Sequence, residues 1–496
     1  MTAQHGFHHP QSRPDIVKHA DPDPIAYEAQ VYQRGLKYQR PPFTFKPLEW
    51  EALAAERMSA DARGYVLGCA GTGETARRNR ESFGKWGFVP RRLGLGLRGS
   101  SVGGNEKGVN DEENGNGKGE GEGEGKRAED AGRKVFPNLR VDVLGRNLPC
   151  PIACAPVGVQ KIMNPDGEVA AARAAAREGV PFIMSTASST SIEDVARASD
   201  AGAEEAGYGK GEAERWFQLY WPAREHDDVT ISLLGRAKKA GFTVLVVTLD
   251  TYILGWRPSD MDNGYNPFLR SDQIGIAIGL SDPVFTSNFQ RKHNNRSADQ
   301  DLGAAAAEWT RTIFPGAEHT LADIAFLRAH WGDDAPIVLK GVQSADDARL
   351  IAQSGLVDGI VVSNHGGRQA DGGISSLGAL PRIVEAVDAV NDGSSKGGGE
   401  GEGAEEKKTR RKVEVLFDSG IRSGADIAKA LALGAKMCLI GRPYVYGLAL
   451  GGEEGVAHVL RSLLGDLELT LHLSGIRSVG EEDLNRGCLV REDELF

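Results

Sequence analysis

The chain has 496 residues, 40% of them hydrophobic, a mean hydropathy of −0.34 and a formal net charge of −11. That length allows one large domain or two to three smaller ones, and the acidic balance argues against nucleic-acid binding, which needs a basic face. No run of about 18 apolar residues occurs, so a membrane span is not expected.

The N-terminus, MTAQHGFHHPQSRPDIVKHA, lacks the apolar core of a secretory signal, and the chain closes on Glu494-Leu495-Phe496, which is not the peroxisomal tripeptide. The expectation is therefore cytoplasmic. Residues 1–40 read as a tail. Pro47–Gly68 (PLEWEALAAERMSADARGYVLG) then reads as one or two amphipathic helices packed against a core. The five cysteines are scattered. Cys150 and Cys154 form one close pair in an apolar run without a nearby His, so buried thiols are expected and a metal site is not.

Three stretches, 99–134, 200–214 and 392–411, are rich in Gly and acidic residues and poor in large apolar ones. Each buries too little apolar surface to offset its ordering entropy, so all three are expected to be disordered inserts. Between them the pattern is regular. Eight short apolar runs follow one another: Pro151–Pro156, Pro181–Ser185, Trp216–Tyr220, Thr243–Asp250, Pro336–Lys340, Gly359–Ser363, Val413–Asp418 and Lys436–Gly441. Helix-period stretches such as Gly167–Glu178 and Ala345–Ser354 separate them. Continuous apolar strands alternating with helices indicate parallel βαβ units, and eight in succession favour a closed TIM (β/α)8 barrel. The expected domain spans 41–480, with 481–496 as a second tail. The segment from Gly255 to about His319 is too long for a plain connection and leaves from the catalytic face, so an active-site lid after the fourth strand is expected.

Chemistry in this fold collects at the C-terminal ends of the strands. The first run ends in Ala155-Pro156-Val157-Gly158, the second in Ser185-Thr186, and the third in Gln218-Leu219-Tyr220. The fourth ends in Thr248-Leu249-Asp250 with Arg257 seven residues on, the fifth in Lys340, and the sixth in SNHGGRQAD, which carries His365 and Arg368. The seventh and eighth end in DSGIRSG (Asp418–Gly424) and GRP (Gly441–Pro443), two Gly-containing turns with arginines where this fold commonly binds phosphate. Ordinary strand–helix turns are the plain alternative for that pair, and a barrel-mouth ion pair is the plain alternative for Lys340. Taken together, a phosphate site and a row of Ser, Gln, Thr and Lys suit an extended ligand with an isoalloxazine ring, beside which Lys340 would supply a cation. Among these strand ends the arginines are suited to hold an anionic group, and His is a base of near-neutral pKa.

SNHGGRQAD, LDTYILGWRP, FQLYWP, VLKGVQSADDAR, FDSGIRSGADIAKALALGA and IGRPYVYGLALGG closely resemble the FMN-dependent L-2-hydroxy-acid oxidizing enzymes over nearly all of residues 40–480 outside the inserts. Among their subgroups the chain looks most like the lactate 2-monooxygenases. The resemblance implies FMN as cofactor, His365 as active-site base, and Asp250 as the partner that stabilises its protonated form. It implies that Arg257 and Arg368 hold the substrate carboxylate, with Tyr65 and Tyr220 hydrogen-bonding the substrate. Ala155, Pro156, Val157, Ser185, Gln218, Thr248 and Lys340 would line the flavin ring and ribityl chain. Asp418, Gly420, Arg422, Gly441 and Arg442 would hold its ribityl and phosphate end.

The partners so implied are a small 2-hydroxy acid, lactate first, and O2, with a homotetramer by likeness to the family. Two departures stand out. Ala187 occupies a position where glycolate-oxidizing members carry Trp, suggesting a roomier pocket. Gly158 stands where many oxidases have Ala, as in lactate 2-monooxygenases, and the missing methyl is expected near the reactive edge of the flavin. The rival readings are a plain oxidase releasing 2-keto acid and hydrogen peroxide, a flavin-binding protein without turnover, and a non-redox FMN barrel isomerase.

Overall fold

The computed structural model describes residues 25–91, 136–209, 211–270, 274–393 and 411–495. Its centre is a closed barrel of eight parallel strands: β1 (Ile152–Cys154), β2 (Phe182–Ser185), β3 (Arg215–Tyr220), β4 (Val244–Thr248), β5 (Ile337–Val342), β6 (Gly359–Val362), β7 (Glu414–Asp418) and β8 (Met437–Ile440). Neighbours pair in sequence order and β8 closes on β1 through Cys438↔Ile152. Each strand lies within one of the apolar runs or overlaps it closely.

Strand residues divide by their period of two. Ala153, Ile183, Trp216, Val244, Val246, Val338, Val361, Leu416 and Leu439 pack together as one cluster, with the hairpin residues Val143, Leu144 and Leu148 among them. Their strand neighbours, among them Ile152, Cys154, Phe217, Leu245 and Ile360, belong to the larger cluster shared with the helices. The antiparallel hairpin Val141–Val143/Arg146–Leu148 thus contributes to the barrel-interior cluster. It reaches the start of β6, since a Cβ on Gly359 would stand 3.1 Å from Leu144 Cδ2.

The helices begin where the sequence supplies side-chain caps. Ser191, Ser344, Ser375 and Ser423 each accept a hydrogen bond from a backbone N–H in the first turn of the helix that follows. The eighth connection is a long helical element, Arg442–Leu473, broken at Gly451 and Gly452.

Three expectations about order change. Residues 200–205 complete the helix Ile192–Glu205, and Ala203, Ala206 and Ala213 are buried. Small alanines packed between helices serve as core here, so the 200–214 stretch is not a disordered insert. The tail expected over 1–40 contains the helix Ile25–Leu36, and the tail expected over 481–496 contains the strand Leu489–Arg491, which pairs antiparallel with Trp86–Phe88. The stretch 99–134 lies outside the described residues, as does 392–411 except for its first two residues and its last.

Candidate active site

Most of the residues expected to carry chemistry gather in one region. A cavity of about 970 Å³, partly open to solvent, is lined there by Tyr65, Tyr220, Arg257, Lys340, His365 and Arg368. Ala155, Pro156, Val157, Asp418, Gly420, Arg422, Gly441 and Arg442 continue the same lining. Four expected residues stand behind that wall. Gln218 donates from Nε2 to Thr248 Oγ1 at 2.9 Å and accepts from Thr186 N; Ser185 Oγ accepts from Ala187 N; Asp250 reaches the cavity through His365.

His365 follows β6 with φ +57, a left-handed conformation that costs energy for a side-chain-bearing residue. Its backbone N–H donates to Ser363 Oγ, and Gly366 N–H donates to Ser419 Oγ, which fixes the turn. The imidazole Nδ1 lies 2.9 Å from Asp250 Oδ1 and 3.0 Å from Thr251 Oγ1. With Nδ1 so engaged, Nε2 is the nitrogen left for substrate. Burial, joined by the charges of Lys340 and Arg257, holds the imidazole below its usual pKa despite Asp250. The ring is therefore neutral at rest and able to accept a proton.

Asp250 shows the opposite balance. Burial alone would raise its pKa, but the charge of Lys340, the His365 ring and the Thr251 hydroxyl hold the carboxyl well below the usual range. Asp250 Oδ2 is buried without a hydrogen-bond partner. Gly341, at φ +106 in the bulge of β5, gives Asp250 its space, since a Cβ there would lie 2.9 Å from the carboxylate. Lys340 donates to Ser363 Oγ at 3.0 Å and pairs with Asp418 at 3.3 Å. Burial works against its charge, and Asp418 and Asp250 outweigh that, so the ammonium is retained.

Arg257 and Arg368 are brought together on the same cavity as the imidazole. Arg257 donates to Arg368 O and to Gln369 Oε1, and Arg368 donates to Gly68 O while its guanidinium lies 4.9 Å from the centre of the Tyr65 ring. Neither has a carboxylate in ion-pair contact among the described residues. Burial first, then Arg257 and Arg442, push Arg368 down to about 9. It is still a cation at neutral pH, and an anion bound beside it would favour its charged form.

At the far end, Arg422 donates to Ile421 O and lies over Tyr446, and Arg442 donates to the carbonyls of Val66, Gly366 and Gly68. The surroundings suit FMN. A Cβ built on Gly441 meets only Ala155 Cβ, at 3.9 Å, so the backbone of β1 and β8 presents open space to a flat group. The half-buried guanidiniums of Arg422 and Arg442 and the buried ammonium of Lys340 line the same cavity, a donor set that suits a phosphate and a flavin ring.

The structure adds residues that the sequence did not single out. Gln369 accepts from Arg257 and donates to the carbonyls of Asp250 and Ile253, tying the root of the lid to the His365 loop. Its place inside SNHGGRQAD was the available signal. Met163, Leu254, Phe268 and Phe314 form an apolar wall, and no local pattern marked them because they come from separate loops and helices. Gly367 has a steric role. Its φ is +75, and a Cβ there would lie 2.5 Å from Ala76 N, so it is required by the close approach of helix Glu74–Glu81 rather than by a ligand. Gly158 is likewise explained from behind, since an added Cβ would lie 2.7 Å from Ala187 Cβ.

A (β/α)8 barrel whose mouth joins an imidazole–carboxylate couple, a paired guanidinium site and an anion-binding end defines a class of cofactor-dependent oxidoreductase acting on small acids. Residues 130–491 match the family model of FMN-dependent dehydrogenases, and the chain belongs to that family. It is 51% identical over 95% of its length to an FMN-dependent alpha-hydroxy acid dehydrogenase of Schizosaccharomyces pombe, of which 97% is covered. It is 33% identical over 92% of its length to an L-lactate oxidase of Lysinibacillus sphaericus, of which 95% is covered. Among solved structures, a mandelate oxidase superposes with a TM-score of 0.63 at 29% identity, covering 88% of this chain and 96% of that one. The protein is an FMN-dependent enzyme that oxidises 2-hydroxy acids. Among the described residues no helix is long and apolar enough to cross a membrane.

Proposed function

We propose that the chain oxidises an L-2-hydroxy acid with His365 as base and Arg257 and Arg368 as the carboxylate clamp. The observation that carries this reading is the buried Arg257 and half-buried Arg368 guanidiniums, without a carboxylate in ion-pair contact among the described residues, on a cavity shared with an imidazole whose Nδ1 is held by Asp250. A carboxylate lying between the two arginines gains charge-assisted hydrogen bonds, each of about 1.5–3 kcal/mol. Fixing the carboxylate plane sets where the hydroxyl and the Cα–H point, which lowers the barrier by orientation. Tyr65 and Tyr220 hydrogen-bond the same substrate.

Nε2 of His365 takes one proton from the substrate, and the ionised Asp250 stabilises the imidazolium that results. FMN supplies the two-electron acceptor. Lys340 would stand beside its ring as a cation and Ala155, Pro156 and Val157 would line the ring and ribityl chain, with Ser185, Gln218 and Thr248 supporting that wall from behind. Asp418, Gly420, Arg422, Gly441 and Arg442 would hold the ribityl and phosphate end.

Lactate, the smallest chiral 2-hydroxy acid, is the first candidate substrate, and dioxygen is the proposed terminal acceptor. The lid root, latched by Gln369, favours retention of the keto acid and its oxidative decarboxylation in the pocket, as in lactate 2-monooxygenases. A second reading, release of keto acid with hydrogen peroxide, is favoured by the similarity to a protein named L-lactate oxidase. The test is turnover of the FMN-loaded protein in air with L-lactate, followed by product analysis. Acetate supports decarboxylation and pyruvate with peroxide supports the second reading. The absence of any 2-keto acid or its decarboxylation product from a panel of L-2-hydroxy acids contradicts both.

A further inference from the structure

We infer that this site selects 2-hydroxy acids whose side chain is apolar and larger than the methyl of lactate, an inference that rests on the 2-hydroxy-acid reading above. The polar groups lining the inner cavity are already committed. Arg257, Arg368, Tyr65 and Tyr220 serve the carboxylate and hydroxyl, His365 the proton, and Lys340 pairs with Asp418. The rest of the wall near them is Met163, Leu254, Phe268 and Phe314, with Val157 and Gly158 beside them.

This apolar wall begins at the carboxylate site itself. The Tyr220 ring lies 5.0 Å from Phe314, and Phe314 lies 5.2 Å from Phe268 in an edge-to-face contact. The Tyr220 hydroxyl meanwhile lies within electrostatic reach of Arg257 and Arg368. An acid held by the two arginines therefore directs its side chain along rings and aliphatic groups. A methyl covers little of such a wall, and each further methylene buried there is worth about 0.8 kcal/mol. Aromatic side chains gain edge-to-face contacts in addition. A second carboxylate or a chain of hydroxyls would meet no partner along this wall and would lose its hydration.

The test measures kcat/KM of the FMN-loaded protein for L-lactate, L-2-hydroxyisocaproate, L-3-phenyllactate and L-malate. We expect isocaproate or phenyllactate to exceed lactate by about 10-fold or more, within the range that one or two buried methylenes give, and malate to fall below lactate. Lactate equal to or better than both larger acids overturns the inference while leaving the 2-hydroxy-acid reading intact. Failure of every acid to reduce the flavin under anaerobic conditions overturns both. Phe314→Ala should lower the phenyllactate-to-lactate ratio by about 10-fold. An equal loss on both acids indicates a structural role for Phe314 and contradicts the inference.

Discussion

His365 and Asp250 have opposite electrostatic balances although they share a hydrogen bond of 2.9 Å. Burial dominates for the imidazole and lowers its pKa, whereas surrounding cations dominate for the carboxyl and keep it ionised. In the proposed mechanism the free base is the active form, so the rate of flavin reduction should rise with pH through a value below 6.5 and stay flat across neutrality. Anaerobic stopped-flow between about pH 5 and 8 checks this, and a midpoint at or above 7 would show that Asp250 outweighs burial. The candidate catalytic set was legible because its members lie at strand ends or in the loops that follow them. The partners that tune it were less so. Gly341 earns its place only through a bulge that spares Asp250, and Asn79, which is hydrogen-bonded to Asn364 at 2.8 Å, arrives from a distant helix.

The described residues of the segment from Gly255 to about His319, expected as a lid, include the helices Pro258–Asp262, Pro283–Lys292 and Leu302–Ile313. Its first residues are held by one side chain, Gln369, through Arg257 and the carbonyls of Asp250 and Ile253. Gln369→Ala should release that root, raise KM about 10-fold through a less well fixed Arg257, and shift products from decarboxylated acid toward keto acid with peroxide. Unchanged KM and product ratio would exclude the latch. The barrel strands were legible because buried parallel strands are apolar without interruption. Composition misled at 200–214, where Gly, Ala and Glu resemble a solvated insert yet Ala203 and Ala213 serve as packing surface. It misled at both ends as well, where the short strand Leu489–Arg491 is defined only by its partner Trp86–Phe88.

At the scale of the whole molecule, the N-terminal segment is joined to the long C-terminal helix through His458. Its ring lies 4.4 Å from Phe43 and 4.6 Å from Phe45, and Nε2 lies 3.3 Å from Thr44 O. Burial lowers its pKa from 6.5 to about 4. The unfolded chain therefore takes up this proton first, so the contribution of neutral His458 is complete above about pH 6.5 and is lost as pH falls toward 4. At about 1.4 kcal/mol per pKa unit this amounts to roughly 3 kcal/mol. Thermal unfolding from pH 7.5 to 4.5 should fall less steeply for His458→Phe than for the parent, and equal slopes would remove His458 from that role. The most direct test of the central claim is anaerobic mixing of the FMN-loaded protein, parent and His365→Gln, with one saturating L-2-hydroxy acid while flavin absorbance is recorded. The account predicts rapid bleaching in the parent and a rate at least about 100-fold slower in His365→Gln with flavin still bound. Equal rates, or a parent flavin that stays oxidised with every acid tried, would contradict it.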